Sequence, residues 1–154
     1  MRKITISILA SCVLLITGCS KDEEATTSNK TKTELLTSGK WYYKSITISP
    51  AFDVFNTGTP ITDVFSHPQS ACSKDNILTF FSNGQFEEDN GILKCNASVP
   101  QVQKDFWYFT NQEKDIVIEG SPGNIVKLDA TDFIIKRTDV QNGQSYTITI
   151  SFKH

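Results

Sequence analysis

The chain has 154 residues and a formal net charge of −2, with 10 Phe, 4 Tyr and 2 Trp. This length fits one domain with a short extension. The weak negative charge, and the lack of a basic patch interleaved with aromatic residues, argue against a nucleic-acid partner. Aromatic residues at this frequency favour β-structure around an aromatic core.

The start of the chain has the pattern of an export signal. Arg2 and Lys3 form a positive segment, and an apolar stretch of about 13 residues (4–16) follows. That stretch is shorter than the roughly 20 residues of a membrane-spanning helix. Its end, Ile16-Thr17-Gly18-Cys19, resembles a bacterial lipoprotein signal, which implies cleavage before Cys19 and attachment of a diacylglyceryl group to its thiol. An ordinary secretory signal is the alternative.

The chain is therefore predicted to have three parts. These are a lipoprotein signal peptide (1–18), the lipidated Cys19 with a flexible tether (19–33), and a folded domain (34–154). The acidic cluster at 20–24 resembles the surface-export signal of lipoproteins in Bacteroidetes-type bacteria, and a solvated tether is the alternative. We expect a lipid-anchored protein of the bacterial cell envelope, in the outer membrane, facing the periplasm or the cell surface.

The folded domain begins with a predicted helical turn at 33–39, which Thr33 is expected to cap and Gly39 to end. The later segments have the alternation of apolar and polar residues, or the aromatic and β-branched content, of strands. The predicted strands are 40–49 with a bulge near Ser45, 75–82, 85–89, 105–110, 115–119, 124–128, 131–138 and 145–152.

Tight turns join most of these strands in chain order. Asn83-Gly84, Asn90-Gly91 and Asn142-Gly143 are typical hairpin turns, and Ser121-Pro122-Gly123 suits a type II turn. Antiparallel strands in up-and-down order, with one apolar face, close most simply into a barrel, which removes exposed edges. A Greek-key sandwich would need longer crossovers, and the long connection is 50–71. The predicted fold class is all-β, an antiparallel up-and-down barrel of about eight strands.

A series of aromatic, turn and Cys residues runs along the predicted barrel: Gly39-Lys40-Trp41, Cys72, Asp75-Asn76, Leu78-Thr79-Phe80, Asn83-Gly84, Cys95, Trp107, Leu128 and Phe133. In this order they are similar to the lipocalin-like lipoproteins of Bacteroidetes-type bacteria, over 35–152. The opening Gly-x-Trp also resembles lipocalins proper, although this chain is shorter and lacks their C-terminal helix. The resemblance implies a small lipocalin-like barrel, in a family whose members are mostly of unassigned function.

Two cysteines follow Cys19, namely Cys72 and Cys95. An even pair in an exported protein most simply forms a disulfide. A metal site would need two further ligands, and His67 is the only His nearby. We therefore predict a disulfide and no metal.

Six aromatic residues are candidates for contact with a ligand. They are Trp41, Tyr43, Phe52, Phe55, Phe65 and Trp107. Trp41 and Trp107 face the barrel interior, where side chains either fill the space or line a cavity for one small ligand. The long connection 50–71 is too apolar for disorder, and it forms either a lid over the barrel mouth or a plug at its base.

The chain has no nucleophile elbow, zinc-protease motif or phosphate-binding glycine loop, and the acidic run 87–91 lacks the spacing of a calcium loop. We predict that the protein is not an enzyme and needs no cofactor. The predicted function is a membrane-anchored binding module for a small apolar or amphipathic ligand. The alternative is an envelope interaction protein with a solid barrel, whose partner is a protein or a glycan.

Overall fold

A computed structural model of the chain describes residues 30–141 and 143–154. A short helix, α1 (Lys32–Leu36), precedes nine strands, and a 3-10 helix (Pro68–Ser73) lies between the second and third. The strands are β1 (Lys40–Phe52), β2 (Ile61–Asp63), β3 (Ile77–Phe80), β4 (Gln85–Asp89), β5 (Val102–Thr110), β6 (Asp115–Ile118), β7 (Ser121–Leu128), β8 (Asp132–Gln141) and β9 (Gln144–Lys153). The predicted signal peptide, the Cys19 anchor and most of the tether fall in 1–29, outside the described residues.

The predicted all-β, up-and-down barrel is confirmed. β1 and β3 to β9 pair antiparallel in chain order, and β9 pairs with β1, which closes an eight-stranded barrel. β2 is an additional strand that the sequence did not predict. It pairs with the far half of β1, at Thr47 and Phe52, whereas β3 pairs with β1 at 40–42.

The bulge predicted near Ser45 lies between Tyr43 and Ser45, where the register between β1 and β9 shifts. The extra residue is Lys44, which is exposed and donates a hydrogen bond from Nζ to the Asp132 carboxylate over 2.9 Å. Because one residue is added here, Ile46 can face the interior as Tyr43 does, although the two are three positions apart.

The two ends of the barrel differ. The helical end holds α1, the start of β1 and the end of β9, and the distal end holds the long connection and the β4–β5 loop. At the helical end Trp41 is fully buried, and its Nε1 donates to the Leu36 carbonyl over 2.8 Å. Buried side chains fill this half of the interior, among them Phe80, Phe86, Trp107, Ile116, Phe133, Ile135 and Phe152. This half is a packed core.

The helix differs in detail from its prediction. It begins at Lys32, and its N-cap is Thr31 rather than Thr33. Thr31 Oγ1 accepts from the Glu34 amide over 3.2 Å, and the Glu34 carboxylate accepts from the Thr31 amide over 2.7 Å. This reciprocal pair is a capping box, which a cap at Thr33 could not form because Leu36 occupies the third position after it.

The type II turn predicted at Ser121-Pro122-Gly123 is wrong. β6 and β7 are joined by Glu119 and Gly120, whose φ angles are 52° and 73°, and Ile118 pairs with Ser121. Two successive positive φ angles match the twist of a two-residue hairpin turn. Pro122 therefore lies inside β7, opposite Val117. β8 and β9 pair up to Gln141↔Gln144, and Asn142 of the turn predicted at Asn142-Gly143 lies outside the described residues.

Candidate functional site

The wall of the barrel has a seam between β7 and β8 at the distal end. The pairing of these strands runs from Leu128↔Phe133 to Asn124↔Lys136, while β8 continues to Gln141 along β9. Pro122 lies beyond the last pair and has no N–H to offer a neighbouring strand. The strand pairing therefore stops where the proline removes a donor.

A cavity of about 230 Å³ lies at this seam. Its lining consists of Ser121, Pro122, Arg137, Thr138, Asp139 and Ile148. Two of the lining residues, Arg137 and Ile148, face inward and are paired neighbours on β8 and β9, and Ile148 is also paired with Ile48 of β1. These three residues form one row across the sheet. The cavity thus has two charged side chains, Arg137 and Asp139, with the hydroxyls of Ser121 and Thr138, beside the apolar Pro122 and Ile148.

Arg137 is the most unusual group of the cavity. It lies two positions after the buried Ile135 on β8 and so faces the barrel interior. Its Nε is buried without a hydrogen-bond partner in the described part of the chain. No carboxylate of the described residues lies within 4.0 Å of its guanidinium. A buried donor without a partner is costly and rare in folded proteins.

Acidic side chains share this half of the barrel with Arg137. Glu88 faces inward, opposite the buried Leu78, and its Oε1 accepts from Asn76 Nδ2 over 2.8 Å. Desolvation, with the nearby charges of Glu88 and Asp105, raises the pKa of Glu119, and the charge of Arg137 opposes this shift. The arrangement places one cation among four carboxylates, because Asp139 lines the cavity as well.

An apolar surface lies beside these charges. Tyr146, on β9, is buried, and its ring stacks on Phe52 with the centroids 4.7 Å apart. Ile48, the cross-strand partner of Ile148, is also buried. The distal half therefore offers both a charged group and apolar contacts, which is the composition of many small-molecule sites.

The structure divides the six predicted ligand contacts between two regions. Trp41 and Trp107 belong to the packed core, where Trp107 Nε1 donates to the Phe81 carbonyl over 3.0 Å. Tyr43 packs against that core, and burial, followed by the charge of Glu88, raises its pKa. Their role as ligand contacts stays a prediction.

The other three lie at the distal end. Phe52 ends β1, Phe55 stacks on His67 with centroids 4.4 Å apart, and Phe65 lies under the Lys74 ammonium, 5.5 Å from the ring centroid. All three are half-buried. They lie along the long connection rather than around one cavity.

The long connection packs along β1. The amides of Val64 and Phe65 both donate to the Ile46 carbonyl, over 3.0 and 3.2 Å, and Ser70 Oγ donates to the Val64 carbonyl over 2.6 Å. These bonds and β2 extend the sheet beside the half of β1 that β3 does not reach. The long connection therefore lies at the distal end of the barrel, opposite the helical end that α1 covers.

The predicted disulfide between Cys72 and Cys95 is present, with Cα atoms 5.0 Å apart. It joins the end of the 3-10 helix to the β4–β5 loop. Beside it, Asp75 Oδ2 accepts from the amides of Ile92 and Leu93 over 2.7 and 3.2 Å. A Cβ on Gly91 would lie 2.4 Å from the Asp75 carboxyl carbon, so this loop requires glycine.

Sequence reasoning missed Arg137, Glu88, Asp105 and Glu119. The sequence contained a signal for two of them, Arg137 and Glu88. Ile135 is inward, so Arg137 two residues later is inward as well, and Phe86 places Glu88 in the same way. In the sequence analysis, Glu88 was instead treated only as part of the acidic run 87–91.

No protein-family model matches the chain, and no curated protein matches it significantly. Within 30–141 and 143–154, no group of three His, Cys, Asp or Glu side chains could hold a metal ion. Among the described helices, none has the length and apolar character needed to cross a membrane.

Proposed function

We propose that this protein is a membrane-anchored, lipocalin-like binding module of the bacterial envelope, without catalytic activity. Its ligand is a small amphipathic molecule with an anionic group, bound at the distal end of the barrel. The anchor on Cys19 rests on the sequence pattern. The observation that carries the binding proposal is Arg137, an inward-facing guanidinium with a partnerless buried Nε beside a cavity.

An anion is the ligand group that satisfies this arginine. The planar guanidinium donates two parallel hydrogen bonds to a carboxylate, phosphate or sulfonate, and such charge-assisted pairs are stronger than neutral ones. Ile48 and Ile148 then contact the apolar part of the molecule. The cavity, at about 230 Å³, is smaller than the roughly 300 Å³ lower bound of ordinary ligand pockets. It suits the anionic head and the start of a chain.

The neighbouring carboxylates make binding depend on pH. Asp139, Glu88, Asp105 and Glu119 repel an anion when they are charged, and the raised pKa of Glu119 lets it lose its charge at a higher pH than an ordinary Glu. The affinity for dodecyl sulfonate, which stays charged, should therefore rise as pH falls through the raised pKa of Glu119. Fluorescent-probe displacement at several pH values measures this, and an affinity that falls with pH contradicts the proposal.

Native mass spectrometry tests the proposal on the full chain, produced in a bacterial envelope and extracted in mild detergent. The expected result is a mass excess that disappears on denaturation and releases an acidic amphiphile. Arg137→Gln should lose this excess. Lys136→Gln is the matched control, because it removes the adjacent, exposed charge on the same strand. A neutral or cationic ligand, or equal retention by Arg137→Gln, overturns the proposal.

A second candidate function is that of an interaction protein with a solid barrel, whose partner is a protein or a glycan. Two observations favour it. The helical half of the interior is filled by buried side chains, and Phe106 and Tyr108 are exposed on the outer face of β5, at 70% and 55% of their maximal area.

A further inference from the structure

The outer face of β5 to β8 holds a second concave surface, which borders the cavity at the β7–β8 seam. Thr110, Asp115, Asn124 and Lys136 pair in one row across these four strands, so their side chains share the outer face. They line a groove of about 280 Å³ together with Thr138, Gly123, Pro122 and Arg137, and three of these residues, Pro122, Arg137 and Thr138, also line the seam cavity. We name this surface the outer groove.

The polar groups of the outer groove are fixed in position. Asp115 accepts from Asn124 Nδ2 at one carboxylate oxygen and from Asn111 Nδ2 at the other, each over 3.0 Å. These two hydrogen bonds hold the pKa of Asp115 below its usual range, so it stays an acceptor. Lys136 Nζ has no carboxylate within 4.0 Å in the described part of the chain. The groove thus offers a preset acceptor beside an unpaired donor.

Exposed aromatic rings border the groove. Tyr108 lies two residues before Thr110 on β5 and therefore on the same face, and Phe106 continues the line. The row next to the groove is Tyr108, Val117 and Pro122, in which Val117 is buried although it faces outward. On this outer face, an apolar and aromatic row therefore lies directly beside the row of polar side chains.

We infer that the outer groove binds a glycan. Sugar rings combine a face of polarised C–H groups with a rim of hydroxyls, which act as both donors and acceptors. The negative face of an aromatic ring attracts such C–H groups, and the hydroxyls match Asp115, Asn124 and Lys136. An aliphatic ligand would leave these polar groups without partners, which disfavours it. This inference makes the second candidate function specific, and its test relies on Tyr108, which does not line the cavity at the β7–β8 seam.

Affinity electrophoresis of the full chain in gels that contain xylan, mannan, mixed-linkage β-glucan, starch or pectin tests the inference. At least one polysaccharide should retard the wild-type protein. Tyr108→Ala should weaken this binding about tenfold, while Tyr108→Phe keeps the ring and most of the affinity. Lys136→Gln should also weaken it. Phe81→Ala, which removes another exposed aromatic ring outside the groove, is the matched control and should behave as wild type.

The outcomes separate the two sites. Loss of glycan binding in Tyr108→Ala, with binding of dodecyl sulfonate unchanged, supports glycan binding at the outer groove and distinguishes it from anion binding at Arg137. No retardation of the wild type by any of the polysaccharides overturns the inference, as does a Tyr108→Ala protein that binds as tightly as wild type. A change of oligomeric state in Tyr108→Ala, measured by light scattering, would assign this face to a second copy of the chain and also overturns it.

Discussion

Removal of the disulfide should lower the stability of the barrel by an amount that the loop length sets. Cys72 and Cys95 are 23 residues apart. Cross-linking a loop of this size removes about 11 cal/mol/K of entropy from the unfolded chain, which corresponds to about 3 kcal/mol at about 25 °C. For a domain of this size, about 1 kcal/mol shifts the melting temperature by about 4 °C, so the expected decrease is roughly 12 °C.

The double variant Cys72→Ser/Cys95→Ser measures this effect without leaving a free thiol. Thermal and urea unfolding, followed by circular dichroism, give the melting temperature and the free energy of unfolding. The reduced wild-type protein is the matched control and should unfold like the double variant. A loss below about 1 kcal/mol would refute the reasoning, because it would mean that the unfolded chain gains little freedom when the bond is absent.

Three further predictions concern the anchor, the helical end and an exposed carboxylate. Cys19→Ala should move the protein from the membrane fraction to the soluble fraction, and persistence in membranes contradicts lipidation. Trp41→Phe should destabilise the barrel by about 2 kcal/mol, because it leaves a cavity and removes the hydrogen bond to the Leu36 carbonyl; an unchanged urea midpoint contradicts this. The hydrogen bond from Lys127 lowers the pKa of Asp132 from 3.8 to about 2, so the stability that it contributes is present above pH 3.8 and is lost as pH falls through about 2. In Asp132→Asn the melting temperature should therefore fall less over that range, and an identical pH profile contradicts the assignment.

Much of the barrel could be predicted because its determinants are local. Alternation placed strands around Trp41, Phe86 and Phe133, and Asn83-Gly84 marked the β3–β4 turn, whereas Asn90-Gly91 was wrong as a hairpin turn because it lies in the longer β4–β5 connection 90–101. Short connections then left few topologies other than an up-and-down meander. The disulfide followed from the parity of the cysteines in an exported chain.

The errors have physical causes. Pro-Gly at 122–123 has stronger turn propensity than Glu-Gly at 119–120, yet the pairing of Ile116 and Ile118 with β7 placed the proline inside a strand. β2 has only three residues. Its pairing partner on β1 depends on where β3 stops pairing with β1, and residues distant in the sequence decide this. The same holds for the cavity, because it depends on where β7 and β8 separate.

The candidate site shows a further limit of sequence reasoning. Six aromatic residues were predicted to contact the ligand, which stays a prediction, and two of them, Trp41 and Trp107, belong to the packed core. Charged residues at inward positions carry more information, because burying a charge costs free energy unless it is paired. Arg137 and Glu88 occupy such positions, and strand alternation alone could have identified them.

Direct titration of the wild-type chain with laurate and with 1-dodecanol tests the central claim most directly. The two ligands share a chain length and differ in the carboxylate, so their affinity ratio reports the guanidinium of Arg137. We predict that laurate binds at least about tenfold more tightly than the alcohol, and that this preference disappears in Arg137→Gln and persists in Lys136→Gln. Equal affinities for the two ligands, or no saturable binding of laurate, would contradict the account.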